Sequence, residues 1–167
     1  MKFPYLTPFL FLFGFIVGCA SYKMGAIRDP GFKTIYIETF KSDVDEPALE
    51  TLVTTTVIQQ FQRDGTIEVT SPDRADVILK GQITSFQMTP VRFAPANQIT
   101  PTEVSMSIGA NYALFKRGQT KPYFKGQASG STGFFIGDDL QSDKRQGVPL
   151  AAVKLGQNIV STLADGW

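Results

Sequence analysis

Apolar and polar positions alternate with a period of two along most of the chain, and the period shifts towards 3.6 in two places. The cleanest alternation is Val104, Met106, Ile108, Ala110, Tyr112 and Leu114, separated mostly by small polar residues. It predicts a half-buried antiparallel strand over 104–114. Residues 33–40 alternate as well, with Ile35 and Ile37 on one side and Tyr36, Glu38 and Phe40 on the other. Their β-branched and aromatic content predicts a first strand. A short strand is expected at 66–70. A long one follows at 75–88, with Val77, Leu79, Gly81 and Ile83 on one face. A partner strand at 123–135 is loosened by Gly126, Gly130 and Gly133, which read as bulge or twist positions. Leu49, Leu52, Val53, Val57 and Phe61 recur at three- and four-residue spacing after Pro47, and Ala152, Leu155, Ile159 and Leu163 do so after Pro149. These stripes predict helices over 47–64 and 149–164, with proline in the first turn of each. Gly65 is placed to close the first helix in a left-handed conformation. Residues 41–46, 90–101, 116–121 and 137–147 read as loops. Two amphipathic helices need a surface to cover, and one face of a mainly antiparallel sheet of about four strands provides it. The expected fold class is therefore α+β, a two-layer sandwich.

Ahead of this domain lies a different pattern. Lys2 is followed by an apolar run from Phe3 to Val17 that ends at Ile16-Val17-Gly18-Cys19. A basic start, an apolar core and a small residue before the cleavage point make a secretory signal. The run is shorter than the ~20 residues of a membrane-spanning helix and contains Pro4, Pro8 and Gly14. The segment resembles the lipobox of bacterial lipoproteins, which implies cleavage between Gly18 and Cys19 and lipidation of Cys19 by diacylglycerol and an N-acyl chain such as palmitate. At ~0.8 kcal/mol per buried methylene, two or three such chains hold a protein on a membrane permanently. The next residue is Ala20 rather than aspartate. By resemblance to enterobacterial sorting, this implies transfer to the outer membrane, with the folded part facing the periplasm. The chain then divides into a signal peptide (1–18), a lipidated tether (19–32) and a single domain (33–167).

Composition narrows the chemistry. Loss of residues 1–18 removes one lysine, so the net charge of +1 falls to zero. That argues against a nucleic-acid binder, which carries a basic excess. Cys19 is the only cysteine and there is no histidine. Ser–His and Cys–His catalysis and the usual zinc sites are thereby excluded. Glu103, Asp138 and Asp139 are the loop carboxylates that a glycosidase could use, but nothing in their spacing pairs them, and adjacent acids read better as polar loop chemistry. Asp43, Asp45 and Glu46 lack the glycine and terminal glutamate of a calcium loop and read as a solvated turn. No metal or other cofactor is expected beyond the covalent lipid, and the protein is not expected to be an enzyme.

Several segments in order carry a family resemblance. They are Cys19-Ala-Ser-Tyr22 with Gly25, Thr34-Ile-Tyr-Ile37, Pro47-Ala-Leu-Glu50, Phe61-Gln-Arg-Asp-Gly65, Ala75-Asp-Val-Ile-Leu-Lys-Gly81 with Ile83, and a final helix from Leu155 to Leu163. Together they resemble the lipopolysaccharide-assembly lipoprotein family, LptE. The resemblance implies two helices on a four-stranded sheet. It also implies a plug inside an LptD-type outer-membrane β-barrel, which helps the barrel fold and binds lipopolysaccharide on its way to the outer leaflet. A periplasmic accessory of another envelope machine, such as a secretion or efflux adaptor or a peptidoglycan-associated module, is the competing class.

Lipid A presents phosphates beside acyl chains, so a binder needs basic groups beside apolar surface. Arg92, between Val91 and Phe93, meets that description, as does the group Lys116, Arg117, Lys121 and Lys125. Taken singly, each of these charges reads first as a solvated one. The polar face Ser105, Ser107 and Asn111 is either plain solvent face or a surface for a hydrophilic barrel lumen. Trp167 reads as packing at a helix end.

Overall fold

A computed structural model describes residues 31–95, 99–136 and 140–164. Cys19, Gly18, Asp138, Asp139 and Trp167 lie outside the described residues. The elements in chain order are β1 (Thr34–Ile37), β2 (Lys41–Ser42), α1 (Leu49–Asp64), β3 (Glu68–Val69), β4 (Val77–Phe93), β5 (Pro101–Lys116), β6 (Phe124–Phe135) and α2 (Leu140–Ala164). They form one six-stranded sheet in the order β3-β1-β4-β5-β6, with β2 also paired to β4.

The α+β layering expected from sequence is present, but the sheet is larger and more mixed than about four antiparallel strands. β1 runs parallel to both β3 and β4, and β2 runs parallel to β4. The parallel pairs follow from the chain path, since α1 carries the chain back across the sheet between β1 and β3. β4, β5 and β6 form a long antiparallel meander.

The first strand breaks after Ile37, and the break corrects one side-chain assignment. Phe40 does not share a face with Tyr36 and Glu38. It turns into the core, fully buried, where its ring packs on Gly81, and any side chain at that glycine would overlap it. Thr54 holds the break in place. Its hydroxyl donates to the Glu50 carbonyl one turn back (2.7 Å) and accepts the N–H of Phe40 (2.9 Å). A threonine that weakens intrinsic helicity thus satisfies a buried backbone donor instead.

α1 ends as expected. Gly65 has φ of 75° and its N–H reaches the Phe61 carbonyl at 3.0 Å. α2 is longer than expected. It starts at Leu140 and contains Pro149, so the loop expected at 137–147 is largely helix. Its first turns have no apolar period to reveal them, and tertiary contacts hold them. Lys144 pairs with Glu46 at 2.7 Å and sits over the Phe86 ring at 5.3 Å. Gly147 lets the helix approach Met106 and Phe134.

The core lies between the two helices and one sheet face: Ile35, Leu79, Ile83, Met106, Ile108 and Leu114 meet Val53, Val57, Phe61, Leu155 and Ile159. Gly126 and Gly130 belong to that interior. Tyr112 stacks on the first and the α2 backbone on the second.

Candidate functional site on the open sheet face

Both helices cover the same side of the sheet, so residues of opposite parity on β4, β5 and β6 form a face with no second layer. Cross-strand register places Lys80 and Gln82 there from β4, Ser105, Ser107, Asn111 and Ala113 from β5, and Lys125, Gln127, Ser129 and Ser131 from β6. The expectation that Ser105, Ser107 and Asn111 lie on a polar face is met. The floor is made of small and polar side chains, and this is the surface the fold leaves for a partner or ligand.

The two expected lipopolysaccharide-binding places, Arg92 and the group Lys116, Arg117, Lys121 and Lys125, lie towards opposite ends of the meander. Arg92 is not in a loop. The proline-containing segment 90–93 continues β4 through two register shifts, which accommodate Pro90, and the turn closes only where the Ala94 N–H reaches Thr100 at 2.9 Å. Arg92 faces Glu103 across the strands at 3.5 Å and stays largely exposed. Lys116, Arg117 and Lys121 stand at the opposite end of β5, in and after the turn to β6. Thirteen residues of extended strand separate Glu103 from Lys116, about 43 Å at 3.3 Å per residue. No single headgroup spans that distance.

The two ends also differ in chemistry. At the turn end, Arg117 is committed to the fold. Its guanidinium donates to the Asp73 carbonyl at 2.5 Å and its N–H to the Asp76 carbonyl at 3.1 Å. Lys116 lies 5.6 Å from the Tyr123 ring centroid. Asp76 accepts the N–H groups of Lys33 and Thr34 at 3.0 Å each. The Lys33 and Thr34 bonds, with the Arg117 charge, hold its carboxyl below the usual range. Burial pushes the Tyr123 hydroxyl up to about 12. This end is therefore where residues 31–34 enter the domain.

The far end is apolar. Val91, Phe93, Ile99 and Phe135 are 54%, 42%, 85% and 69% exposed, four of the five large hydrophobic side chains that stand exposed among the described residues. They gather around Arg92 at the tip of the meander, where β4, β5 and β6 end.

Lys125, the second residue of β6 and opposite Ala113, lies near the turn end but stands on the open face. It borders a basin of about 730 Å³ in the open face, with Lys41, Lys80, Gln82, Asn111 and Gln127 also on its lining. Sequence reading missed this grouping. Lys80 and Gln82 were legible as the outward face of β4, but Lys41 reaches the site only through β2, a strand too short to show periodicity. Among the described residues, no group of three or more acidic, cysteine or histidine side chains is arranged to hold a metal.

Known proteins of similar structure share the fold at low identity. Protein XCC0632 of Xanthomonas campestris matches with a TM-score of 0.56 and 11% identity, over 81% of this chain and 85% of its own. A minor lipoprotein of Acinetobacter baumannii matches with a TM-score of 0.53 and 13% identity, over 80% and 94%. A dodecameric PelC variant of Paraburkholderia phytofirmans matches with a TM-score of 0.52 and 12% identity, over 81% and 90%. No curated protein matches the sequence. The family described as LptE, lipopolysaccharide-assembly, matches residues 32–163, nearly the whole of the domain. The match takes in β1 to β6 and nearly all of α2, and the chain belongs to the LptE family of lipopolysaccharide-assembly proteins, a family that works without a cofactor.

Proposed function

We propose that this protein is a non-catalytic outer-membrane lipoprotein, cleaved after Gly18 and anchored through lipid on Cys19, that plugs an LptD-type β-barrel and assists lipopolysaccharide on its way to the outer leaflet. The observation that carries the reading is the apolar tip around Arg92. A guanidinium set among Val91, Phe93, Ile99 and Phe135 offers phosphate-binding charge beside surface suited to acyl chains. Arg117 is committed to backbone contacts, whereas Arg92, although it faces Glu103 at 3.5 Å, stays exposed and is the residue of the expected set that stands beside exposed apolar side chains.

Chain direction agrees with this assignment. Residues 31–34 enter at the end opposite the tip. Twelve residues of chain span at most about 40 Å. With Cys19 held in the inner leaflet, the tip can project away from the anchor along a barrel axis. The bare polar sheet face suits a hydrophilic lumen. The family match supports the assembly role, and the fold shared with a minor lipoprotein agrees with lipid anchoring.

The test is site-specific photo-crosslinking in the native envelope, with the probe at Ser107, Arg92 or Ile99, read by mass spectrometry and by blotting for lipopolysaccharide. The expected result is barrel adducts from Ser107 and lipopolysaccharide adducts from Arg92 and Ile99. Adducts with other periplasmic proteins alone, from all three positions, would refute the plug reading and favour an accessory of another envelope machine.

A further inference from the structure

The two edges of the sheet differ. At one end β3 is two residues long, Glu68–Val69, too short to template a further strand. At the other, β6 runs for 12 residues, paired on one side only, and its register against β5 is unbroken from Phe124 to Phe135. One hydrogen bond tells which of its backbone groups point outward. The Ile136 N–H reaches the Thr102 carbonyl directly across the ladder at 3.0 Å, so the even-numbered residues of β6 bond β5. The N–H and C=O groups of Lys125, Gln127, Ser129, Ser131, Gly133 and Phe135 therefore point away from the sheet. Asn158 of α2 agrees with this direction, for its Nδ2 donates to the Ser129 carbonyl at 2.7 Å. The other outward groups have no hydrogen-bond partner among the described residues.

Exposed edges are ordinarily blunted by proline, bulges or charges. β6 has no proline, no bulge and a single charge, Lys125. Leu150, Lys154 and Asn158 recur every four residues along the flank of α2 above this edge, and all three are exposed. Neither Lys125 nor Lys154 has an ion pair among the described residues, and β6 carries no acid. The edge is thus basic, with one apolar side chain, Leu150, overhanging it. A second copy of the chain does not fit there. The α2 backbone lies against Gly130, so the helix runs over β6 itself. Two-fold pairing of β6 with β6 would set two such helices over neighbouring strands ~4.8 Å apart, whereas packed helices stand about 8–10 Å apart.

We propose that the β6 edge binds an extended acidic segment of another protein, which joins the sheet as an added strand. Only an extended main chain matches a row of alternating donors and acceptors at strand spacing. The segment pairs most readily from Ser131 to Phe135, where every outward group is open, and displaces the Asn158 amide where it continues past Ser129. Its apolar side chains lie under the α2 flank against Leu150. Its carboxylates meet Lys125 on the open face and Lys154 on the helix flank. The pairing stands apart from the reading of the tip, since the wall of a closed barrel has its own strands paired and cannot supply the segment.

The experiment is amide hydrogen exchange by NMR on the full chain in detergent. The probe is a peptide of about eleven residues alternating valine and glutamate, long enough to run from Lys125 to Phe135. At about ten times its Kd it is expected to slow exchange of the Ser131, Gly133 and Phe135 amides by ~10-fold. The same peptide with lysine for glutamate should bind at least ~10-fold more weakly, and a fully N-methylated form, which keeps the side chains but has no N–H donors, should not bind. Ser131→Pro removes one outward N–H where an edge strand admits proline, and should weaken binding by ~10-fold or more. Lys154→Glu, at an exposed position, should weaken it as well. Equal binding of the methylated or the lysine peptide would overturn the proposal, as would changes centred on the tip. Protection of the same amides in the chain alone as its concentration rises would overturn it in favour of self-pairing. Unchanged affinity in Lys154→Glu, whose fold is verified by its spectrum, would overturn it even if Ser131→Pro fails to fold.

Discussion

Gly130→Ala is the sharpest test of how the layers meet. Gly130 is buried on β6 directly under α2. A Cβ there would overlap the backbone N of Leu155 and the carbonyl O of Ala151, and would lie 2.8 Å from the Leu155 Cα. Ordinary contact begins near 3.4 Å, so α2 must retreat by more than one ångström, and a helix backbone cannot rotate away as a side chain can. Retreat loosens Ala151, Leu155 and Ile159, all fully buried. Overpacking costs ~1–3 kcal/mol, and the rigid neighbour puts this case near ~3. For a domain of this size that is a fall in Tm of about 6–12 °C. Gly133→Ala is the control. It lies on the open face, where the nearest atom to a Cβ is the Glu103 carboxylate at 3.5 Å. It should change stability by less than ~0.5 kcal/mol. Both variants are to be unfolded thermally and with urea, followed by circular dichroism. Equal stability of the two, or a loss below ~1 kcal/mol at Gly130, would refute the close helix–sheet contact.

Other consequences follow from local contacts. Thr54→Val removes the acceptor for the buried Phe40 N–H and should cost about 1–3 kcal/mol in urea unfolding, while Thr55→Val, on the exposed side of the helix, should not. Asp76 has a depressed folded-state pKa, so its contribution is present above the ordinary aspartate range and is lost as pH falls through the folded value. Stability measured from pH 7 down to pH 2 should therefore drop more in the wild type than in Asp76→Asn, which starts lower; parallel curves would exclude the carboxylate's role. The Tyr123 hydroxyl is raised from 10 to about 12, so the folded state keeps its proton longer than the unfolded one. Its contribution should decline as pH rises above 10, and ultraviolet titration of Tyr123→Phe should lack the latest-ionising tyrosine; an unchanged titration would contradict the burial.

The order and type of the main elements were legible because their periodicities are strong. The strand at 104–114 alternates without a break, and Gly65 follows the α1 stripe at the position a left-handed cap requires. The cleavage motif and the absence of histidine are local facts that no fold alters. Arg92, by contrast, was misplaced in a loop because Pro90 and Pro101 bracket it, and strand bulges that admit proline leave no period. The first turns of α2 were missed because their residues are polar and are held by Glu46 and Phe86, far away in sequence.

The sequence by itself determined which faces are apolar, hence two helices against a sheet, a chain without histidine, and a family resemblance that the domain match upheld. Only the tertiary structure decided which charges are neighbours. Strand register moved Arg92 to one end of β5, Lys116 and Arg117 to the other, and Lys125 into a row with Lys80. Register depends on pairings between residues remote in the chain, and the spacing of charges along one strand carries no record of them.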